Sequence, residues 1–140
     1  MIQAKAARLA AAGSIALAAA VAAAACGGGG SSSSTTGPSG GCTPSSSPNT
    51  IVIQSNQVCP QTLTIAIGGQ VTFINNDSRV HDMDSDPHPE HTDCPALNQV
   101  GFLNPGQSRI SGNLTVARRC GFHDHSSPDT AALKGTITIQ

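Results

Sequence analysis

The first 49 residues limit what this chain can fold into, because Ala, Gly, Ser and Thr dominate them and leave little material for a core. A folded domain must therefore lie within residues 50–140. That length is near the lower range in which a single core is self-sufficient. The chain has no Trp or Tyr and three Phe, so the core must consist of Ile, Val and Leu. This composition favours β-structure.

The amino terminus has the features of an export signal. Lys5 and Arg8 precede an uncharged run over residues 9–25, which ends in four Ala before Cys26. This order predicts a secretory signal over residues 1–25. It also resembles a bacterial lipobox, in which Cys26 becomes the acylated first residue of the mature protein; ordinary cleavage and secretion is the alternative. A permanent transmembrane helix is disfavoured, since the run is short and mostly Ala.

Residues 27–49 predict a flexible linker. They are rich in Gly, Ser, Thr and Pro and cannot bury enough apolar surface to offset their ordering entropy. We therefore expect a lipid-anchored domain, residues 50–140, that faces the periplasm or the exterior of a bacterial cell envelope.

Short apolar runs separated by turn residues predict an all-β domain. Segments 76–99 and 120–133 are polar and contain prolines, so we expect them to be loops. About seven to eight short strands of this kind are typical of an antiparallel sandwich or barrel. The predicted strands are Thr50–Gln54, Leu63–Ile67, Val71–Asn75, Val100–Leu103, Arg109–Ile110, Leu114–Val116 and Gly135–Ile139.

The histidines are the residues most indicative of chemistry. All five lie between His81 and His125, in the two predicted loops. Cys120 and His123 share one loop, and His81 begins the other. A sandwich brings loops from remote strands together at one end, so these three residues predict a thiolate with two imidazoles. That is the ligand set of mononuclear copper electron-transfer sites.

Two segments of the chain resemble the cupredoxin (plastocyanin/azurin-like) family of type 1 copper proteins. The stretch from Leu63 through Gly-Gly-Gln-Val-Thr-Phe-Ile-Asn-Asn-Asp to His81 is similar to the strand, turn and strand that lead to the family's first copper histidine. The stretch from Cys120-Gly-Phe-His123 to Leu133-Lys-Gly-Thr-Ile-Thr-Ile resembles its carboxy-terminal ligand loop and last strand. The resemblance implies a Greek-key sandwich that holds one copper ion through His81, Cys120 and His123.

The sequence departs from the family pattern around these ligands. Leu133 occupies the slot of the usual axial Met, and the loop after His123 is longer than usual and contains His125. We consider Leu133, His125 and Met83 as axial or additional positions. His88 and His91 lie in an acidic segment, where they predict either a solvated loop or a second metal site.

The remaining cysteines leave several pairings open. With Cys26 assigned to the lipid, any one pair among Cys42, Cys59 and Cys94 could form. We expect Cys59 to bond Cys94, and Cys42, in the linker, to be free or bonded to another molecule. The alternative for Cys120 is a disulfide, because an exported protein meets an oxidising compartment.

These features favour an electron carrier of the cell envelope that uses a redox partner protein, rather than an enzyme. The alternatives are a module that passes copper to a copper-handling protein, a red-copper type enzyme site using His125, and a metal-free adhesion domain. Zinc, with His125 as fourth ligand, is a further reading. Nucleic acid is not expected as a partner, since the net charge is −1 and no basic stripe with aromatic residues is present.

Overall fold

The computed structural model describes residues 41–140. The predicted signal segment, Cys26 and linker residues 27–40 lie outside the described residues. No helix in the part described is long and apolar enough to cross a membrane. Two short 3-10 turns, Leu97–Gln99 and Ala131–Leu133, accompany nine strands. The strands are β1 (Thr50–Gln54), β2 (Gln57–Cys59), β3 (Thr62–Ile65), β4 (Thr72–Asn75), β5 (His81–Ser85), β6 (Gly101–Leu103), β7 (Ser108–Ile110), β8 (Arg118–Asp124) and β9 (Gly135–Ile139).

The strands form two sheets, with the orders β2-β1-β4-β7 and β3-β9-β8-β5-β6. This architecture confirms the predicted all-β sandwich. Most neighbours pair antiparallel, as expected, but β1 pairs with β4 and β3 pairs with β9 in parallel. Both sheets are therefore mixed.

The core lies between the sheets and depends on alternation along the strands. Phe73 of β4 and Ile137 of β9 are fully buried, while the residues beside them in sequence are partly exposed. Phe73 also meets Phe122 of β8 edge to face, with ring centroids 5.4 Å apart. This contact joins the two sheets at their centre, so it links the scaffold to the strand that carries the candidate ligands.

Three strands were not predicted, and one prediction was wrong. β5 and β8 fall in the segments expected to be loops, because their polar residues hide the alternation that marks a strand. The short β2 was also missed. Leu114–Val116 does not form a strand; Leu114 contributes only an isolated bridge to Gly69, and Val116 is exposed.

The disulfides correct the predicted cysteine pairing. Cys42 bonds Cys59, and Cys94 bonds Cys120. The predicted bond between Cys59 and Cys94 is therefore wrong, as is the expectation that Cys42 is free or bonded to another molecule. The first bond fastens the segment before β1 to the end of β2, so the linker's last residues are attached to the domain.

The contact between the two central phenylalanines predicts a large stability effect. Phe73→Ala should lower the free energy of unfolding by about 3–5 kcal/mol, because it leaves a cavity between the sheets. Phe102→Ala is the matched control, since Phe102 is 61% exposed, and it should change stability by less than about 0.5 kcal/mol. Denaturant unfolding measures both, and equal losses would show that Phe73 does not occupy the core.

Candidate metal centre

The site is built by two neighbouring strands of the five-stranded sheet. On β8, Cys120 and Phe122 belong to the core, so His123 points to the opposite face of the sheet. His123 pairs directly with Asp84 of β5, which places both side chains on this outer face. His125 follows His123 at the same two-residue period, so both histidines stand on the outside of the sheet near the end of β8.

The segment after β5 folds back over this face. The N–H of Asp86 donates to the carbonyl of Gly121, and the N–H of Asp93 donates to the carbonyl of Asp86. The carbonyl of His91 accepts hydrogen bonds from the Ser85 hydroxyl at 3.0 Å and the Asn98 side-chain amide at 2.9 Å. These bonds fix a short loop whose histidines lie above the outer face of β8.

Four imidazoles meet where the loop covers the strand. His88, His91, His123 and His125 each offer one nitrogen, and these four atoms lie within 4.8 Å of one another. The Nδ1 of His125 is 3.2 Å from the Nε2 of His91. Nitrogens bound at about 2.0–2.1 Å to one metal ion lie about 3–4 Å apart. The four residues, which we call the histidine cluster, therefore have close to the spacing that one metal ion requires.

His123 supplies the strongest evidence that the cluster binds a ligand. Its Nδ1 lies 2.7 Å from a carboxylate oxygen of Asp86 and donates to it. Its Nε2 is, among residues 41–140, the one fully buried side-chain nitrogen or oxygen without a hydrogen-bond partner. Such orphaned buried atoms are rare in native proteins. A metal ion in the cluster would satisfy this nitrogen.

Carboxylates surround the cluster and make it attractive to a cation. The Asp84 carboxylate lies 3.8 Å from the Nδ1 of both His91 and His125. Asp82, on the same face of β5, is largely buried; desolvation and the neighbouring Asp84 charge raise its pKa above the usual value, although His125 and His91 counteract part of this rise. A positive ion in the cluster would relieve this crowding of negative charge.

The predicted ligand set of His81, Cys120 and His123 is not brought together. Cys120 and His123 are three residues apart on one continuous strand, so they face opposite sides of the sheet. The sulfur of Cys120 is also bonded to Cys94 and cannot act as a thiolate. The prediction assumed a loop at this position, where side-chain directions are not fixed by the pleat.

His81 has a different role in the structure. It is fully buried, and its Nδ1 lies 2.8 Å from the Asp124 carboxylate, while its Nε2 lies 3.4 Å from Asp77. Both ring nitrogens are thus directed at carboxylates within the domain. His81 therefore joins β5 to the end of β8 and to the preceding turn, and it is not available to the cluster.

The other predicted positions divide between the core and the cluster. Leu133 and Met83 are fully buried members of the core, and Met83 points inward from β5. His125 joins the cluster, as one of the considered alternatives expected. His88 and His91, considered for a second metal site, belong to the same site as His123. The sequence pattern could not show that these histidines meet His123, since the contact is created by the hydrogen bonds between the loop and β8.

Several solved structures have a fold similar to that of this chain. The purple cupredoxin from Nitrosopumilus maritimus aligns with a TM-score of 0.50 and 19% identity, over 65% of this chain and 98% of that protein. Oxidised plastocyanin from Dryopteris crassirhizoma aligns with a TM-score of 0.51 and 18% identity, over 65% and 99%. A reduced mutant of amicyanin gives 0.52 and 16%, over 69% and 85%. The fold is therefore that of the cupredoxins.

Sequence similarity shows the family to which the chain belongs. Plastocyanin from Scenedesmus fuscus is 34% identical over 84 residues, which are 58% of this chain and 84% of that protein. No protein-family model matches the chain. This chain belongs to the plastocyanin-like cupredoxin family, as the resemblance in its sequence predicted. Membership indicates one copper ion as the cofactor, and imidazole is a suitable copper ligand. The histidine cluster is therefore suited to copper. Cys120, at the position of the family's thiolate ligand, is bonded to Cys94 and does not suit it.

The Asp77 carboxylate generates a pH-dependent prediction. Partial burial alone would raise its pKa, but hydrogen bonds from the backbone N–H groups of Asn56 and Ser78, together with nearby His81, hold the pKa below its usual value. The ionised carboxylate therefore stabilises the fold fully at pH values above the usual pKa of Asp. This stabilisation is lost as the pH falls through the lowered pKa of Asp77.

Asp77→Asn should accordingly lower the free energy of unfolding by about 1 kcal/mol at pH 7. The difference from the parent should disappear in strong acid, where both side chains are neutral. Urea unfolding at a series of pH values measures this, with Asp129→Asn, at an exposed site, as the charge-matched control. A loss that is the same at all pH values would contradict the role given to the carboxylate charge.

Proposed function

We propose that this protein is a copper-binding electron carrier of the bacterial cell envelope, and that it holds one copper ion in the histidine cluster. The carrying observation is the buried, unpartnered Nε2 of His123 amid three further imidazoles. Family membership supports copper and electron carriage. When bound, copper supplies a one-electron couple; the protein supplies the ligands, their orientation and the path to the surface.

The position of the cluster suits exchange of electrons with a partner protein. His123 is buried on a central strand, so one ligand is held rigidly by the scaffold. The side chain of His125 is 42% exposed, and His88 is exposed. These two imidazoles give the cluster an edge that a redox partner can approach, and the surrounding carboxylates favour a partner with a basic surface.

The disulfides support the envelope location. Bonds such as Cys42–Cys59 and Cys94–Cys120 form and persist in oxidising compartments, including the periplasm and the cell exterior. The predicted signal over residues 1–25 and the candidate lipid site Cys26 agree with export. We therefore propose a domain anchored by a lipid on Cys26, with release into the medium as the alternative.

A second function, copper delivery, is favoured by a specific observation. Of the four imidazoles, only His123 is buried, and the loop that contributes His88 and His91 lies at the surface. Ligands of this kind can exchange metal readily. Electron carriage predicts that bound copper is retained through repeated reduction and oxidation, whereas delivery predicts rapid loss of copper to a chelator after reduction.

The red-copper enzyme alternative loses its basis. That site needed the Cys120 thiolate beside His125, and Cys120 is engaged in the disulfide with Cys94. The histidine cluster contains imidazole nitrogens without sulfur.

Copper titration tests the proposed site. The domain should bind one cupric ion and show weak ligand-field absorption without the intense thiolate-to-copper band of blue sites. Copper should also displace zinc, because divalent copper binds nitrogen ligands more tightly. His123→Ala and His91→Ala should each weaken binding by at least about 10–100-fold, which is the loss typical of removing even a residue that only hydrogen-bonds to a ligand.

The control for these variants is Glu90→Gln, at an exposed residue of the same loop, which should leave the copper affinity unchanged within about twofold. An intense blue colour that disappears when Cys120 is replaced by Ser would contradict the assignment. Copper that is bound but gives no reversible one-electron response in voltammetry would contradict electron carriage and favour delivery.

A further inference from the structure

The Asp86 carboxylate lies at the junction between the covering loop and the strand beneath it. One of its oxygens accepts the hydrogen bond from the Nδ1 of His123 at 2.7 Å. The Asp86 side chain is 46% exposed, whereas the His123 side chain is 1% exposed. The carboxylate thus occupies the solvent side of the imidazole, and the opposite nitrogen is directed away from water.

The strand has a glycine at the point where this carboxylate approaches it. Gly121 lies two residues before His123 and on the same face of β8. A Cβ atom built on Gly121 would overlap the second oxygen of Asp86 and lie 2.8 Å from its Cγ. Gly121 does not have a positive φ, so its conformation does not require glycine. The close approach of the Asp86 carboxylate is what requires glycine at this position.

The backbone holds the carboxylate in this place. The N–H of Asp86 donates to the carbonyl of Gly121 at 3.0 Å. The N–H of Gly121 in turn donates to the Asp93 carboxylate at 3.1 Å. Next to these residues in the chain, Cys94 is bonded to Cys120. The two ends of the covering loop are therefore fixed against the same stretch of β8.

This arrangement decides which nitrogen of His123 can bind a metal. A neutral imidazole has one protonated and one unprotonated nitrogen, and the hydrogen bond made by one nitrogen sets the state of the other. A carboxylate at Nδ1 requires a proton there, which leaves the lone pair on Nε2. Nε2 is the buried atom without a partner, and it belongs to a ring whose centroid lies 5.2 Å from that of His91 and 5.5 Å from that of His88.

We propose that Asp86 is a positioning residue that holds His123 in the Nδ1–H tautomer with its Nε2 lone pair turned into the histidine cluster, and that Gly121 is glycine to admit that carboxylate. The effect of Asp86 on copper affinity rests on the proposed function, whereas its effect on the His123 tautomer can be measured in the metal-free domain. Carboxylates in this position commonly orient a ligating imidazole and increase its basicity.

The tautomer is measured first, on the metal-free parent domain. Long-range nitrogen–proton NMR correlations of the histidine rings at a pH above their titration should show His123 with a protonated Nδ1 and an unprotonated Nε2. This measurement needs no variant, so it is independent of any folding defect. A His123 protonated at Nε2 in the parent would overturn the proposal.

Variants then test the consequence for the metal. Asp86→Asn should lower the copper affinity by about 10–100-fold and shift His123 toward a mixture of tautomers. Gly121→Ala should do the same, because its methyl group displaces the carboxylate while Asp86 itself remains. Asp129→Asn changes the net charge equally at an exposed site and should alter neither quantity; thermal unfolding of each variant confirms that it is folded.

The outcomes separate this inference from the function on which its metal effect depends. Folded Asp86→Asn and Gly121→Ala domains that keep the parent's affinity and tautomer would overturn the positioning role. A parent domain that shows the Nδ1–H tautomer but binds no copper would uphold the arrangement around His123 and overturn the proposed function instead.

Discussion

The two-residue period of β8 is the constraint on which the rest of the site depends. Because the strand stays regular through Asp124, Cys120 points into the core and His123 points outward. One sulfur and one imidazole, which the sequence places three residues apart, are thereby separated by the sheet. The sulfur becomes part of the scaffold through its bond to Cys94, and the imidazole becomes the buried member of a cluster on the outer face.

The surroundings of the strand follow from the same separation. Inside the sandwich, Asp124 is buried at the end of β8, and it is matched by His81 from β5 at 2.8 Å. A buried carboxylate without such a partner would be costly. Outside, the loop after β5 brings two imidazoles and the Asp86 carboxylate to His123. Each face of β8 thus has its own pairing of acid and histidine, and only the outer one leaves a nitrogen free for a metal.

The sequence predicted the scaffold more fully than the site. β1 and β9 lie at their predicted positions, since a short run of Ile and Val marks β1 and alternating Thr and Ile mark β9. The family and its copper cofactor were also predicted from the segments around His81 and Cys120. β5 and β8 were missed because polar residues such as His81 and Asp124 occupy their buried, inward-facing positions, where a strand pattern normally shows apolar side chains. The cysteine pairing and the meeting of His88 with His123 depend on tertiary contacts, which spacing alone does not encode.

X-ray absorption at the copper edge of the copper-loaded domain tests this account most directly, because it identifies the atoms bound to the metal. We predict that the atoms bound to copper are imidazole nitrogens, with the more distant scattering from ring atoms that imidazole produces and no sulfur neighbour. A short copper–sulfur distance would show that Cys120 reaches the metal, and it would contradict the separation of sulfur and imidazole by the sheet.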